Sequence, residues 1–218
     1  MPTLLSVQVG LPQRRVMPAG VRVDLQHPHW TSGIFKEAVR GTVEVTQEGI
    51  GGDGQADLEF HGGPDNVVLA YDAELYPMWR EVLGKPELPF GAFGENFTVE
   101  GLSDDEVCIG DTWQVGETLR LQVTQPRQPC YKLGRRLGTP EAVRLTIEKG
   151  WGGWYLRVLQ EGFAEAGMAI ELVERPHPEW PVQQAVWLMY DRKNQPERAG
   201  LLAQVPELSA RWKQELLP

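Results

Sequence analysis

The segment Gln125–Arg136, QPRQPCYKLGRR, concentrates the residues best suited to chemistry. It carries Arg127, Lys132, Arg135 and Arg136 and no acid; extending the window to Thr118–Pro140 adds Arg120 and still no carboxylate, a local charge of +5. Cys130 lies within this run. Nearby cations favour the thiolate, the form of cysteine that attacks electrophiles and binds soft metals. A thiolate ringed by guanidinium groups suits a ligand with a soft metal at one end and an anionic phosphate at the other. Pro126 and Pro129 stiffen the approach to Cys130 and remove backbone donors, which places it at the rim of a strand region. The plainer alternative is a buried cysteine beside a solvated basic loop. Cys108 is the contrast. It sits between Val107 and Ile109, just after Asp104, Asp105 and Glu106. Acidic neighbours raise a thiol's pKa and apolar flanks bury it, so Cys108 reads as structural.

Three further clusters stand out. Gly49–Asn66 sets Asp53, Gln55, Asp57 and His61 among glycines, which permit close backbone approach to a ligand. Phe90–Gly101 places Glu95 and Asn96 between a glycine turn and a strand. Gly150–Tyr155 offers Trp151, Trp154 and Tyr155, which suit either a planar heterocycle or an aromatic core. His27, His29, His61 and His177 show no zinc spacing. Walker, dinucleotide, nucleophile-elbow and helix-turn-helix signatures are all missing from the sequence.

The elements that must position these residues are short. Glycine and proline together make up 41 of 218 residues, above the usual share, which favours short strands and turns over a helical bundle. Candidate strands are 4–9, 21–25, 42–45, 67–71, 96–99, 112–115, 119–124, 155–159 and 170–174. A helix follows Asp72 and stops at Gly84. A second starts from Thr139 and Pro140 and ends at Gly150. The Pro-rich joint Pro176–Pro181 introduces three helical patterns, 182–190, 196–205 and 206–217. The reading is a mainly β protein: a barrel domain over 1–175 and a helical appendage over 176–218.

The net charge of −9 argues against nonspecific contact with nucleic acid or anionic membranes. No apolar run spans a membrane and no signal peptide is visible. Two cysteines do not make a disulfide scaffold, so a reduced, cytoplasmic protein is expected.

Taken in order, HGGPDNVVLAYDAELYPMWR, FGENFTVEGL, CIGDTWQVGETLRLQVTQPRQPCYKL and GWYLRVLQEG resemble the MOSC family, and within it the YiiM-like bacterial branch. The likeness spans roughly 33–176, with PRQPC the most specific part. The C-terminal piece resembles the three-helix domain that follows MOSC in that branch. The resemblance implies a MOSC-type β-barrel that binds molybdenum–molybdopterin, with Cys130 as metal ligand and catalytic centre. It implies reduction of N-hydroxylated small molecules such as hydroxylaminopurines, with electrons from a separate flavoprotein; a homodimer stays open. Lys36, Arg127 and Arg135 are its candidates for the cofactor's phosphate. His61 and Asn96 match family positions for pterin or substrate, and Asp53, Gln55 and Asp57 suit an outer layer that orients basic ligands. After HGGPD many relatives carry Lys or Arg, whereas this chain has Asn66. Two other roles fit Cys130 equally: a persulfide-bearing sulfur carrier, or a cofactor carrier without turnover.

Overall fold

The computed structural model describes residues 1–16, 29–57 and 62–217. Thirteen strands and six helices are seen among them. The strands are β1 (Thr3–Val9), β2 (Gln13–Val16), β3 (His29–Ser32), β4 (Glu37–Ala38), β5 (Val43–Thr46), β6 (Gly49–Ile50), β7 (Val68–Asp72), β8 (Phe97–Glu100), β9 (Thr112–Val115), β10 (Leu119–Pro126), β11 (Trp154–Gln160), β12 (Gly162–Ala164) and β13 (Ile170–Glu174). The helices are α1 (Leu75–Leu83), α2 (Tyr131–Leu137), α3 (Glu141–Lys149), α4 (Val182–Asp191), α5 (Pro196–Ala203) and α6 (Ala210–Leu216).

The main sheet runs β13-β9-β10-β11-β7-β8-β1-β4, antiparallel except for the parallel pair β7–β8. β7 is buried along its whole length, as a strand covered on both faces must be. The hydrogen-bonded order is open, so no complete ladder closes the sheet into a barrel. It nonetheless curls. A single bridge, Thr3 to Ala169, with Leu4 N to Met168 O and Ile170 N to Pro2 O at 2.9 Å each, draws β1 against the start of β13. The fold is mainly β, as composition and turn spacing predict.

The expected strand 21–25 lies outside the described residues. Short strands such as β2, β4, β6 and β12 carry too few residues for alternation to show. The helix α2 also goes beyond the sequence reading, which left 131–137 in a basic loop. Gly134 and two arginines weaken its apolar pattern; tertiary packing supplies the stabilisation, with Leu133 and Leu137 buried.

The helices beyond residue 176 do not build a separate core. Trp180, Val182, Leu202, Trp212 and Leu216 join the same apolar cluster as Leu121, Val123 and Trp154 of the sheet. Backbone bonds fasten the joint: Val182 N donates to Val107 O at 2.8 Å, and Ser209 N to Thr124 O at 3.1 Å. Cys108, at this joint, is buried with its thiol toward the Glu106 and Pro178 carbonyls, and burial pushes its pKa up, the structural role expected.

Candidate functional site

The end of β10 is the starting point. Pro126 still pairs with Trp154, and Arg127 N donates to Gly153 O at 2.9 Å. The chain then leaves the sheet, having no further donor at Pro129, and Cys130 immediately precedes α2. Cys130 is in no disulfide and is partly exposed at that rim.

Four loops meet there. The recess they enclose, about 640 Å³ and open to solvent, is lined by Lys36, Asn96, Arg127, Cys130, Lys132 and Asn66, among others. Gly33 lets two of these loops touch, because an added Cβ would overlap the Gly54 carbonyl oxygen. Gly94, at φ +82°, turns the third loop so that its backbone lines the wall. Glu95 holds that turn from inside: its carboxylate accepts Gly91 N at 2.6 Å, Phe93 N at 3.1 Å and the hydroxyls of Tyr76 and Thr98.

Asp53 is the hub behind the recess. One oxygen accepts Gly10 N at 2.8 Å and pairs with the Lys36 ammonium; the other accepts Asn96 Nδ2 at 3.0 Å. Burial pulls the Lys36 pKa down, and Asp53 offsets part of that. Asn96 is fully engaged, since its Oδ1 also accepts Leu69 N at 3.2 Å and its Nδ2 reaches Gln8 O at 3.3 Å. Asp53 thus orients Lys36 and Asn96 from behind.

Arg127 is different. It is 6% exposed, and Nη2 donates to Phe93 O at 3.3 Å. Nη1 is buried without a hydrogen-bond partner, and no ion pair holds this guanidinium among the described residues. A buried guanidinium with an unspent donor is poised for an anion. Asn66 Oδ1, also lining the recess, is a buried acceptor without a partner.

The remaining expectations divide. Arg135 does not line the recess; five residues past Cys130 on α2, it turns away and stacks 4.9 Å from the Tyr131 ring and 5.9 Å from that of Trp30. Lys132, two residues past Cys130, lines the recess in its place. Its signal was the acid-free basic run, which by itself does not say which cation faces inward. Gln55 and Asp57 lie in the lining, and His61 lies outside the described residues. Trp151 and Trp154 are aromatic core, whereas Tyr155 reaches the site. Burial pushes the Tyr155 phenol up, and Arg127 offsets part of the rise. No group of three or more His, Cys, Asp or Glu among the described residues is arranged to hold a metal ion.

A cysteine at a sheet rim after a Pro-x-x-Pro approach, facing a buried arginine, matches the MOSC motif, and the MOSC domain model matches residues 57–171. The chain belongs to the MOSC family. It is 40% identical over 212 residues to the uncharacterised protein YflK of Bacillus subtilis, covering 97% of this chain and 91% of that one. A protein of Gibberella moniliformis named a reductase is 42% identical over 154 residues, 70% of this chain but 27% of its own length. The crystal structure of YiiM from Geobacillus stearothermophilus superposes with a TM-score of 0.80 at 32% identity, covering 99% of this chain and 97% of that one. This MOSC protein is therefore YiiM-like through its C-terminal helices as well as its sheet. No helix among its described residues is long and apolar enough to cross a membrane.

Proposed function

We propose that this MOSC protein binds a molybdenum–molybdopterin cofactor in the Cys130 recess and reduces N-hydroxylated small molecules, hydroxylaminopurines among them, with electrons from a separate flavoprotein. The observation that carries the reading is that Arg127, buried with its Nη1 unpartnered, lines the same recess as Cys130. The two fit the group: a thiolate is a soft metal donor, and a guanidinium grips phosphate. The reductase name of the Gibberella relative supports the reaction class.

When bound, the cofactor supplies the two-electron redox change. The chain supplies the rest. Cys130 would hold the metal and Arg127 would take the phosphate. Lys36, already balanced by Asp53, adds a polar wall without net charge. In the overall conversion R–NHOH takes two electrons and two protons and leaves R–NH2 and water. The flavoprotein donates the electrons, and protons enter from solvent through the open side of the recess.

Metal and pterin analysis of protein expressed in a molybdenum-competent host tests the reading directly. One molybdenum and one pterin per chain are expected, with Cys130→Ala abolishing reduction of 6-hydroxylaminopurine while the far-ultraviolet circular dichroism stays unchanged. A Cys130→Ala protein that carries full cofactor and reduces at the wild-type rate overturns it. Sulfur added to Cys130, seen by mass spectrometry without bound molybdenum, would instead mark a persulfide carrier.

A further inference from the structure

Cys130 faces two chambers. It also lines a second, wider cavity, open to solvent. The two share Asp57, Cys130, Lys132 and Tyr155 in their walls. The inner chamber adds Lys36 and Arg127; the outer adds Tyr190 from α4 and Arg211 and Glu215 from α6. The C-terminal helices therefore supply part of the outer wall, beside Gln125 of β10, Tyr155 of β11 and the loop before α2.

That wall is fixed in place. Ser209 donates its hydroxyl to Gln125 Oε1 and its N–H to Thr124 O, at the start of α6. Trp212 and Leu216 are buried beneath. On α4, Val182, Ala185, Val186 and Met189 fill the core, while Tyr190 is 44% exposed. Its ring makes no aromatic pair among the described residues, nor does that of Tyr155, and both line this cavity together with Cys130. Two unstacked rings in one cavity wall beside a thiol offer contact area for a planar guest.

We propose that Tyr190 is a specificity-determining residue: with Tyr155 it forms a slot over Cys130 that selects planar aromatic N-hydroxylated substrates over small aliphatic ones. This rests on the function proposed above. It assigns the C-terminal helices a direct part in substrate choice, with the inner chamber left to the anionic cofactor.

Two measurements test it. First, calorimetry follows 6-hydroxylaminopurine binding to the full chain carrying Cys130→Ser, which cannot turn it over. Adding Tyr190→Ala should weaken binding about tenfold, the loss typical of one base–aromatic stack, and Tyr190→Phe should restore it. Adding Leu201→Ala, on the exposed face of α5, should leave it unchanged. Second, in the cofactor-loaded enzyme, Tyr190→Ala should lower kcat/KM for 6-hydroxylaminopurine about tenfold relative to acetohydroxamic acid, through KM. Equal binding with and without Tyr190→Ala, or no binding at all, overturns the proposal. So does an equal loss on both substrates, or an effect confined to the KM for the electron donor, which would make this wall a docking face. Binding that depends on Tyr190 in a protein that reduces neither compound would sustain the slot and sink the reductase reading.

Discussion

Asn96 Nδ2 donates to Asp53 Oδ2 at 3.0 Å, joining the FGEN turn to the GDGQ turn across 43 residues of chain. The other oxygen of the same carboxylate carries the Lys36 ammonium. One buried acid therefore sets two positions that the family resemblance assigns to the cofactor. Replacing Asn96 by Ala strands Asp53 Oδ2 and Leu69 N without their partner. We expect a loss of about 3 kcal/mol, since each buried unsatisfied polar group costs about 1–3 kcal/mol. Urea denaturation at neutral pH reads the loss; a change within error would mean that water replaces the amide.

Asp53→Asn removes the counter-charge of Lys36. Burial already holds the Lys36 pKa below 10.5, so the folded chain binds fewer protons than the unfolded one up to that pH. Stability contributed by this group therefore rises as pH rises toward 10.5. Without Asp53 the depression deepens and the rise steepens. Unfolding midpoints of wild type and Asp53→Asn from pH 7 to 10 should diverge most at the acid end; parallel curves would show that Lys36 does not depend on Asp53.

Arg127→Ala should cut cofactor occupancy at least tenfold, because the only buried cation with an unspent donor in the recess is lost among those described. Arg127→Lys keeps the charge but not the fork and should recover only part. The measurement is molybdenum per chain after expression in one host. Full occupancy of Arg127→Ala would move the anion site to Lys132.

Asn66 lines the recess with an unpartnered Oδ1. Asn66→Lys should tighten inorganic phosphate several-fold, with the gain shrinking as ionic strength rises. Calorimetry at two salt concentrations would show it. A gain insensitive to salt would not be electrostatic.

Asp104 is buried and its pKa is pushed up to about 8, chiefly by burial; Gly153 N, donating at 2.9 Å, opposes the shift. The folded state keeps a proton that the unfolded chain has lost between about pH 4 and 8. Stability from this group is thus highest at the acid end of that window and falls as pH rises through it, by up to about 1.4 kcal/mol per unit. Asp72, pushed up to about 6 by burial, acts in the same sense over a narrower range. Asp104→Asn keeps the bond to Gly153 and should flatten the slope between pH 6.5 and 8. An unchanged slope in urea midpoints would place the titration elsewhere.

The sequence by itself determined the local pieces. β9 and β13 fall on the residues that alternation and turn signals mark, and α1 and α3 end at Gly84 and Gly150 as expected. The prolines around Cys130 placed it at a rim, and it does follow the end of β10, because the missing donors at Pro126 and Pro129 are a local signal. Only the tertiary structure decided which cations face the recess. Lys36, Lys132, Arg127 and Arg135 are alike in charge, yet the turn of α2 sends Arg135 onto Trp30 and Tyr131, while Asp53 neutralises Lys36. The Arg135–Trp30 and Lys36–Asp53 pairings have no sequence signal, since each joins separate segments of the chain. The same holds for the second wall over Cys130. Tyr190 lies 60 residues away, and it shares a cavity wall with Cys130 only because Trp212, Leu216 and the Ser209 bonds seat the C-terminal helices on the sheet.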